Sequence, residues 1–231
     1  FEEIDRIVAA AADRGIYVLL DLHGAPGAQG PEFHTGRTSY DQPAPGFKHQ
    51  LFNPANATYR TRTRELWQKI AEHYKNNTTV VGYDLLNEPT GFEAYSNPGD
   101  FSLLYAIYDE LYNTIRNTVG DNHVIVMEGA WNWDSLPTPQ SKGWTNVMYQ
   151  FHYYCWQPQA GQNPIPGETC YGYDPGRYQG ITLSDVTASH IAFINDKITN
   201  SRQLLDNVPV LVGEFNGFDI QDVWAYYLTQ F

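Results

Sequence analysis

The chain of 231 residues is poor in cysteine and in basic residues, and it contains no long apolar run. With 14 basic against 26 acidic residues its formal net charge is -12, and an acidic surface repels the phosphate backbone of nucleic acid. No apolar stretch approaches the roughly 20 residues that a membrane-spanning helix needs. We therefore expect neither a nucleic-acid partner nor a membrane partner, and we expect the protein to be a monomer.

The only two cysteines, Cys155 and Cys170, lie in one segment rich in proline, glycine and glutamine. A disulfide between them would close a loop of about 15 residues and stabilise the fold by roughly 3 kcal/mol in the chain-entropy model. Two unpaired thiols are the alternative. We favour the disulfide, and it predicts an oxidising, extracellular setting and hence a secreted protein.

Motifs for several other kinds of chemistry are also missing. The chain has no glycine-rich phosphate-binding loop and no serine nucleophile elbow. His34, Asp41 and His49 share one long loop but lack the spacing of a metal-ligand set. We therefore expect neither a catalytic metal nor a cofactor.

Helix and strand patterns alternate along the whole chain. Apolar, β-branched runs predict five strands, at 16–22, 80–86, 124–127, 147–151 and 208–212. Helical periodicity predicts helices at 2–14, 58–76, 101–119, 184–205 and 220–228. Such alternation is typical of right-handed crossovers and a parallel sheet. No linker or repeat interrupts it, so residues 1–231 are expected to form a single domain.

Polar or aromatic side chains follow every predicted strand, and two of them are the glutamates Glu88 and Glu214. In a parallel barrel the carboxyl ends of the strands converge on one mouth. Two carboxylates meeting there can cleave a glycosidic bond, one as proton donor and the other as nucleophile. The alternative for each glutamate is a charged cap on the helix that follows.

Four short motifs together resemble glycoside hydrolase family 5. They are DLHGAPGAQ at 21–29, LLNEP at 85–89, HYY at 152–154 and GEF at 213–215, in the order of the family. The resemblance implies a (β/α)8 barrel of the α/β class and a retaining mechanism. Because the chain starts and stops within predicted helices, we expect a partial barrel, with two further strands before Phe1 and one after Phe231. A complete open sheet is the alternative from the pattern alone.

The resemblance implies a role for each matching residue. Glu88 is the acid/base and Glu214 is the nucleophile. Four more positions match substrate-binding residues of the family: His23, Asn87, His152 and Tyr154. Among these, Asn87 matches the asparagine that contacts the sugar 2-hydroxyl. An arginine on the second strand and a tryptophan on the eighth have no counterpart in this chain.

Aromatic residues make up 15% of the chain, and several lie near predicted strand ends. We expect Trp131 and Trp156 to stack on sugar rings, with hydrophobic packing as the alternative. Glu128, after the third strand of the chain, is expected to pair with a nearby base or to form a hydrogen bond in the mouth.

The sequence therefore predicts a secreted retaining hydrolase whose partner is a β-glucan polysaccharide or oligosaccharide. An endo-β-1,4-glucanase (cellulase) is the first choice, because long aromatic loops suit an open cleft for a polymer. An exo-β-1,3-glucanase is the second, because HGAPG-type segments also occur in that branch of the family. Another β-glycanase, acting on mannan or xylan, a carbohydrate-binding pseudoenzyme and a nonhydrolytic α/β scaffold are the remaining alternatives.

Overall fold

The computed structural model describes residues 1–31, 35, 49–129, 135–154 and 207–216, with the single positions 188, 192, 195 and 199. The chain divides into two compact units, Phe1–Gln150 and Phe151–Phe231. The expectation of a single domain over 1–231 stays a prediction.

The first unit alternates helices and strands as the sequence predicted, apart from one short helix at 139–142 that was not predicted. Its elements are α1 (Glu2–Ala12), β1 (Val18–Asp21), α2 (Thr58–Tyr74), β2 (Val80–Asp84), α3 (Ser102–Asn113), β3 (Val124–Glu128), α4 (Pro139–Lys142) and the first half of β4 (Val147–Tyr154). Short 3-10 turns at Gln50–Phe52 and Gly91–Ala94 lie in the connections. Helix α3 continues as a wider π-turn, Thr114–Val119, which ends at the left-handed Gly120.

Strands β1 to β4 form a parallel sheet in chain order. Asp21 in β1 is paired with Asp84 in β2, which is paired with Val126 in β3. Two residues further on, Glu128 is paired with Gln150 in β4. Because side chains alternate between the faces of a strand, Asp84, Glu128 and Gln150 share one face near the carboxyl ends of the strands.

The opposite face of this sheet packs on the helices through large aromatic side chains. Trp67 in α2 and Tyr83 in β2 are fully buried, and their ring centroids are 5.5 Å apart. The indole N–H of Trp67 donates to the carbonyl of Leu85 at 3.1 Å. The hydroxyl of Tyr83 donates to the carboxylate of Asp121 at 2.6 Å. Helix α2 therefore supports the strand end that precedes Glu88.

Helix α1 buries less of its apolar face than its sequence pattern predicts. Val8 is 2% exposed, whereas Ile7 is 54% exposed. A polar contact joins α1 to the end of α2, because the Asp5 carboxylate accepts hydrogen bonds from the Tyr74 hydroxyl at 2.7 Å and from His73 Nε2 at 2.8 Å. This contact lowers the pKa of Asp5.

In the second unit the structure describes the end of β4 and strand β5 (Val210–Asn216), which follows β4 in the strand order. Positions 188, 192, 195 and 199 are helical, as the predicted helix at 184–205 requires. The predicted helix at 220–228 lies outside the described residues. Among the residues that the structure describes, no helix is both long and apolar enough to cross a membrane.

Candidate active site

Glu88 lies four residues beyond the end of β2 and is buried, with 7% of its surface exposed. Its backbone adopts a φ of 45°, in the left-handed region that side-chain-bearing residues rarely occupy. The following residue is Pro89, and proline favours an extended backbone in the residue before it. Such a conformation costs about 1–3 kcal/mol and persists only where surrounding contacts impose it.

One such contact comes from Glu128, the last residue of β3. The backbone N–H of Glu88 donates to Oε2 of Glu128 at 2.7 Å. Glu128 is 1% exposed, and its other carboxylate oxygen accepts from the side-chain amide of Gln150 in β4. The expectation that Glu128 forms a hydrogen bond is therefore confirmed, and two amide groups are among its donors.

The Gln150 amide joins two buried carboxylates. Its Nε2 donates to Oδ2 of Asp84 at 2.7 Å as well as to Glu128. Behind them, the Tyr108 hydroxyl of α3 donates to the Glu128 carbonyl at 2.7 Å and accepts the Glu128 backbone N–H at 3.1 Å. Burial and the neighbouring carboxylates of Glu128 and Asp84 raise the pKa of Tyr108 well above its usual value, so this hydroxyl stays protonated.

Asn87 precedes Glu88 and is also buried, at 2% exposure. Its backbone N–H donates to the Leu22 carbonyl at 3.3 Å, and its carbonyl accepts from the side chain of Gln29 at 2.8 Å. Among the described residues its side-chain nitrogen, although buried, has no hydrogen-bond acceptor. Asn87 therefore has a fixed backbone and, within the part of the chain that the structure describes, a buried side-chain donor without an acceptor.

Gln29 fixes the loop that follows β1. Its fully buried side chain accepts the N–H of Ala25 at 2.8 Å and donates to the carbonyls of His23 at 3.0 Å and Asn87 at 2.8 Å. Its own carbonyl accepts the N–H of Gly91 at 2.6 Å. One glutamine thus holds the loop after β1 against the loop after β2.

The turn before Gln29 depends on glycine. Gly27 has a φ of 84°, and a Cβ there would lie 2.5 Å from the ring of Tyr59 in α2. Ala28 also adopts a left-handed φ, of 64°, and its N–H closes the turn on the carbonyl of Ala25 at 2.9 Å. The turn therefore packs on the start of α2, and this packing orients Gln29 inward.

His23, two residues beyond the end of β1, has a half-exposed side chain. Its Nδ1 contacts Oδ2 of Asp21 at 2.8 Å, so a carboxylate at the strand end orients the imidazole. The predicted residues His23, Asn87 and Glu88 all lie at carboxyl ends of the parallel strands in the first unit, as expected from their motifs.

In the second unit, Glu214 lies within β5 and His152 within β4. Nδ1 of His152 is 3.8 Å from Oε2 of Glu214. The His152 side chain is 4% exposed, whereas that of Glu214 is 35% exposed. A buried imidazole therefore adjoins a carboxylate that solvent or a ligand can reach.

Five other predicted site residues cannot be compared with the structure. Trp131, Trp156, Cys155 and Cys170 lie outside the described residues, and of Tyr154 only the backbone, at the end of β4, is described. The two sugar-stacking tryptophans, the role of Tyr154 and the disulfide stay predictions.

The sequence did not predict the supporting polar residues: Gln29, Asp84, Gln150 and Tyr108. A glutamine in a glycine-rich loop carries no signal by itself. A polar residue inside an otherwise apolar strand was the available signal for Asp84 and Gln150, because a buried polar group requires a hydrogen-bond partner.

The model of the cellulase family, glycosyl hydrolase family 5, matches residues 1–229. A β-xylosidase of Phanerodontia chrysosporium is 32% identical over 67% of this chain, and a glucan 1,3-β-glucosidase of Lachancea kluyveri is 28% identical over 66% of it. An endoglucanase of Paenibacillus polymyxa is 25% identical over 94% of the chain. The matches span 29%, 33% and 49% of these three relatives, so the chain corresponds to less than half of each.

Among solved structures, endo-glycoceramidase II of Rhodococcus sp. superposes with a TM-score of 0.65. The alignment covers 99% of this chain and 55% of that one, at 19% sequence identity. At this identity the likeness shows the fold. It confirms the prediction that the strands form part of a (β/α)8 barrel.

Proposed function

Because the chain belongs to the cellulase family, glycosyl hydrolase family 5, we propose that the protein hydrolyses a β-linked glucan with retention of configuration. The observation that carries this proposal is the position of Glu88. It is a buried glutamate beyond the carboxyl end of a parallel strand, with its backbone held by a second buried carboxylate. Active sites of barrel enzymes lie at this end of the strands.

In the proposed mechanism Glu88 starts protonated and Glu214 starts ionised. Glu214 attacks the anomeric carbon while Glu88 protonates the departing glycosidic oxygen, and a covalent glycosyl-enzyme forms. Glu88 then removes a proton from the water that releases the sugar. Retention requires the two carboxyl groups to lie about 5–5.5 Å apart across one sugar ring.

The surroundings of Asn87 support a role in substrate binding. Its buried side-chain nitrogen lacks an acceptor among the described residues. An unsatisfied buried donor costs about 1–3 kcal/mol. A sugar hydroxyl that accepts this hydrogen bond would remove the cost, as expected for the asparagine that contacts the 2-hydroxyl.

His152 supports the proposed role of Glu214. The histidine is almost fully buried and lies 3.8 Å from a carboxylate oxygen of Glu214. A fixed neighbour restricts the rotamers of the carboxylate, and a nucleophile must be held close to the reacting atom.

Within the family we propose an endo-β-1,4-glucanase as the first candidate. The family model itself describes cellulases, and the endoglucanase of Paenibacillus polymyxa is similar over 94% of the chain. An exo-acting β-1,3-glucosidase is the second candidate, since the glucan 1,3-β-glucosidase of Lachancea kluyveri is a relative and the loop at 21–29 contains an HGAPG segment.

A product profile tests both candidates. The intact protein would be incubated with oligosaccharides of the cellulose, laminarin, mannan and xylan types. We expect internal cleavage of the cellulose-type chain. Release of single glucose units from laminarin-type chains would favour the second candidate. Cleavage of none of the four would contradict the proposed function.

Separate Glu88→Ala and Glu214→Ala variants test the assigned roles on the substrate that is cleaved. Each should lower kcat by several orders of magnitude and leave oligosaccharide binding intact, since the cleft remains. If both variants keep full turnover, the assignment is wrong. If the wild type binds but shows no turnover, the protein is a carbohydrate-binding pseudoenzyme.

We also propose that the protein is secreted and that Cys155 is bonded to Cys170. Both proposals rest on the sequence. Mass spectrometry of the peptide that contains both cysteines, with and without reduction, tests the bond, because a disulfide lowers the mass by two hydrogens.

A further inference from the structure

We propose that Glu128 is a positioning residue that orients the acid/base Glu88 through the Glu88 backbone, an inference that rests on the proposed function. The hydrogen bond between them joins the main chain of Glu88 to the side chain of Glu128. The Glu88 N–H donates to Oε2 of Glu128 at 2.7 Å. Glu128 therefore does not need to touch substrate in order to affect the reaction.

The Glu88 backbone is held in an unfavourable conformation. Its φ of 45° is unfavourable for a residue with a Cβ, and the Pro89 that follows makes it more so. A hydrogen bond from this N–H to a carboxylate is stronger than one to a neutral acceptor. The Glu128 carboxylate thus opposes the local preference of the chain and sets the direction in which the Glu88 side chain leaves the backbone.

Only a carboxylate satisfies both hydrogen-bond donors at position 128. Two N–H donors converge on its two oxygens, one from the Glu88 backbone and one from the Gln150 amide. A glutamine at 128 would offer one acceptor and one donor, so one N–H would face another. The Gln150 amide cannot turn around without losing its hydrogen bond to Asp84.

Glu128 is itself held rigidly. Its backbone N–H and carbonyl are both bonded to the Tyr108 hydroxyl of α3. The side chain is 1% exposed, so water does not compete for it. Helix α3 therefore fixes the position of Glu128, and Glu128 in turn fixes the backbone of Glu88.

The experiment compares two substrates that differ in their need for an acid. 2,4-Dinitrophenyl β-cellobioside releases an acidic phenol that leaves without protonation, whereas phenyl β-cellobioside needs a proton from Glu88. If Glu128 acts by positioning Glu88, Glu128→Gln in the intact protein should lower kcat/KM for the phenyl substrate about 100-fold, the scale of a 1 Å misplacement. The value for the dinitrophenyl substrate should stay close to that of the wild type.

Asp121→Asn is the matched control. Asp121 is also a carboxylate with 1% exposure, but it precedes β3 and accepts from Tyr83 at the opposite end of the strand. This variant should lower the melting temperature while leaving the ratio of the two kcat/KM values unchanged. A merely structural role of Glu128 would give the same pattern as Asp121.

The outcomes separate the inference from the function on which it rests. A selective loss on the phenyl substrate supports the inference, and equal losses on both substrates, or no loss, overturn it alone. Where the wild type cleaves a type other than cellulose, the two aryl glycosides carry that sugar instead of cellobiose; a wild type that cleaves none of the four oligosaccharide types overturns the proposed function and the inference with it. If Glu128→Gln does not fold, Gln150→Met decides by the same criterion, since it removes the amide donor to the second Glu128 oxygen.

Discussion

At the scale of single residues, Gln29 is the clearest example of a side chain that joins separate parts of a site. Its amide group satisfies three backbone groups at once, and one of them is the carbonyl of Asn87. The sequence motifs predicted Asn87 and Glu88 as site residues. They did not predict the role of Gln29, because a glutamine in a loop has no periodic pattern that indicates burial. Its importance depends on a partner 58 residues away, which no local pattern reveals.

Replacing Gln29 by leucine should lower the free energy of unfolding by about 3 kcal/mol, because it leaves buried backbone groups without partners. Denaturant unfolding followed by tryptophan fluorescence measures this change. Gln29→Glu is the informative companion, since it keeps an acceptor for Ala25 but places a carboxylate against two carbonyls. A loss below about 0.5 kcal/mol in the leucine variant would show that the loop relaxes without the amide.

At the scale of elements, the sequence predicted every strand in the described residues, with errors at the ends. The strand predicted at 208–212 is found at Val210–Asn216, and that at 147–151 extends to Tyr154. At their carboxyl ends both strands continue beyond the apolar run into polar or aromatic residues, whereas the observed β1 (Val18–Asp21) and β2 (Val80–Asp84) are shorter than predicted. Apolar periodicity marks the part of a strand that packs in a core, whereas the hydrogen-bonded ladder continues into the site.

Strand β2 depends on close approach to β3 at Gly82. A Cβ at this position would lie 2.6 Å from the carbonyl oxygen of Val124. Gly82→Ala should therefore push the strands apart and destabilise the protein by about 1–3 kcal/mol. Val81→Ala is the control, since Val81 is 39% exposed, and it should cost less than about 1 kcal/mol. Equal melting temperatures for the two variants would contradict the steric argument.

The contact between α1 and α2 should depend on pH. The hydrogen bonds of Asp5 from Tyr74, and then from His73, lower its pKa below the ordinary value of 3.8. The folded state therefore binds the proton of Asp5 less readily than the unfolded state. This stabilisation is fully present above pH 3.8 and is lost as the pH falls through the pKa of the folded state.

Asp5→Asn measures this contribution. The melting temperature of the wild type should exceed that of the variant at pH 5, and this difference should shrink as the pH falls below 4, since the asparagine does not titrate. A difference that grows as the pH falls below 4 would have the wrong sign for a lowered pKa.

At the scale of the whole molecule, the alternation of helices and strands was sufficient to predict the class of fold. Right-handed crossovers leave few possible topologies for such a chain. The order of the four family motifs indicated a barrel among these topologies. The cluster of Asp84, Glu128 and Gln150 was not predictable in the same way. It depends on the register of three strands, which apolar runs do not specify.

The proposed mechanism makes a prediction for the complete protein. A 2-deoxy-2-fluoro-β-cellobiosyl fluoride should inactivate it, because fluorine at C2 slows both steps while the fluoride leaving group restores the first. One sugar should be attached to Glu214, as shown by peptide mass mapping after digestion.

Glu214→Gln is the control for this labelling and should carry no sugar. Labelling of a different carboxylate would show that the nucleophile is misassigned. Turnover of the natural substrate without any label would argue against a covalent intermediate.

The backbone of Glu88 has a consequence for efforts to engineer this protein. Glycine is the residue that would occupy that conformation at least cost, yet it has no acid to offer. Folding and chemistry thus make opposing demands on position 88. Selection for thermostability alone would favour the loss of this side chain. A screen for more thermostable variants therefore has to measure turnover at each selection step.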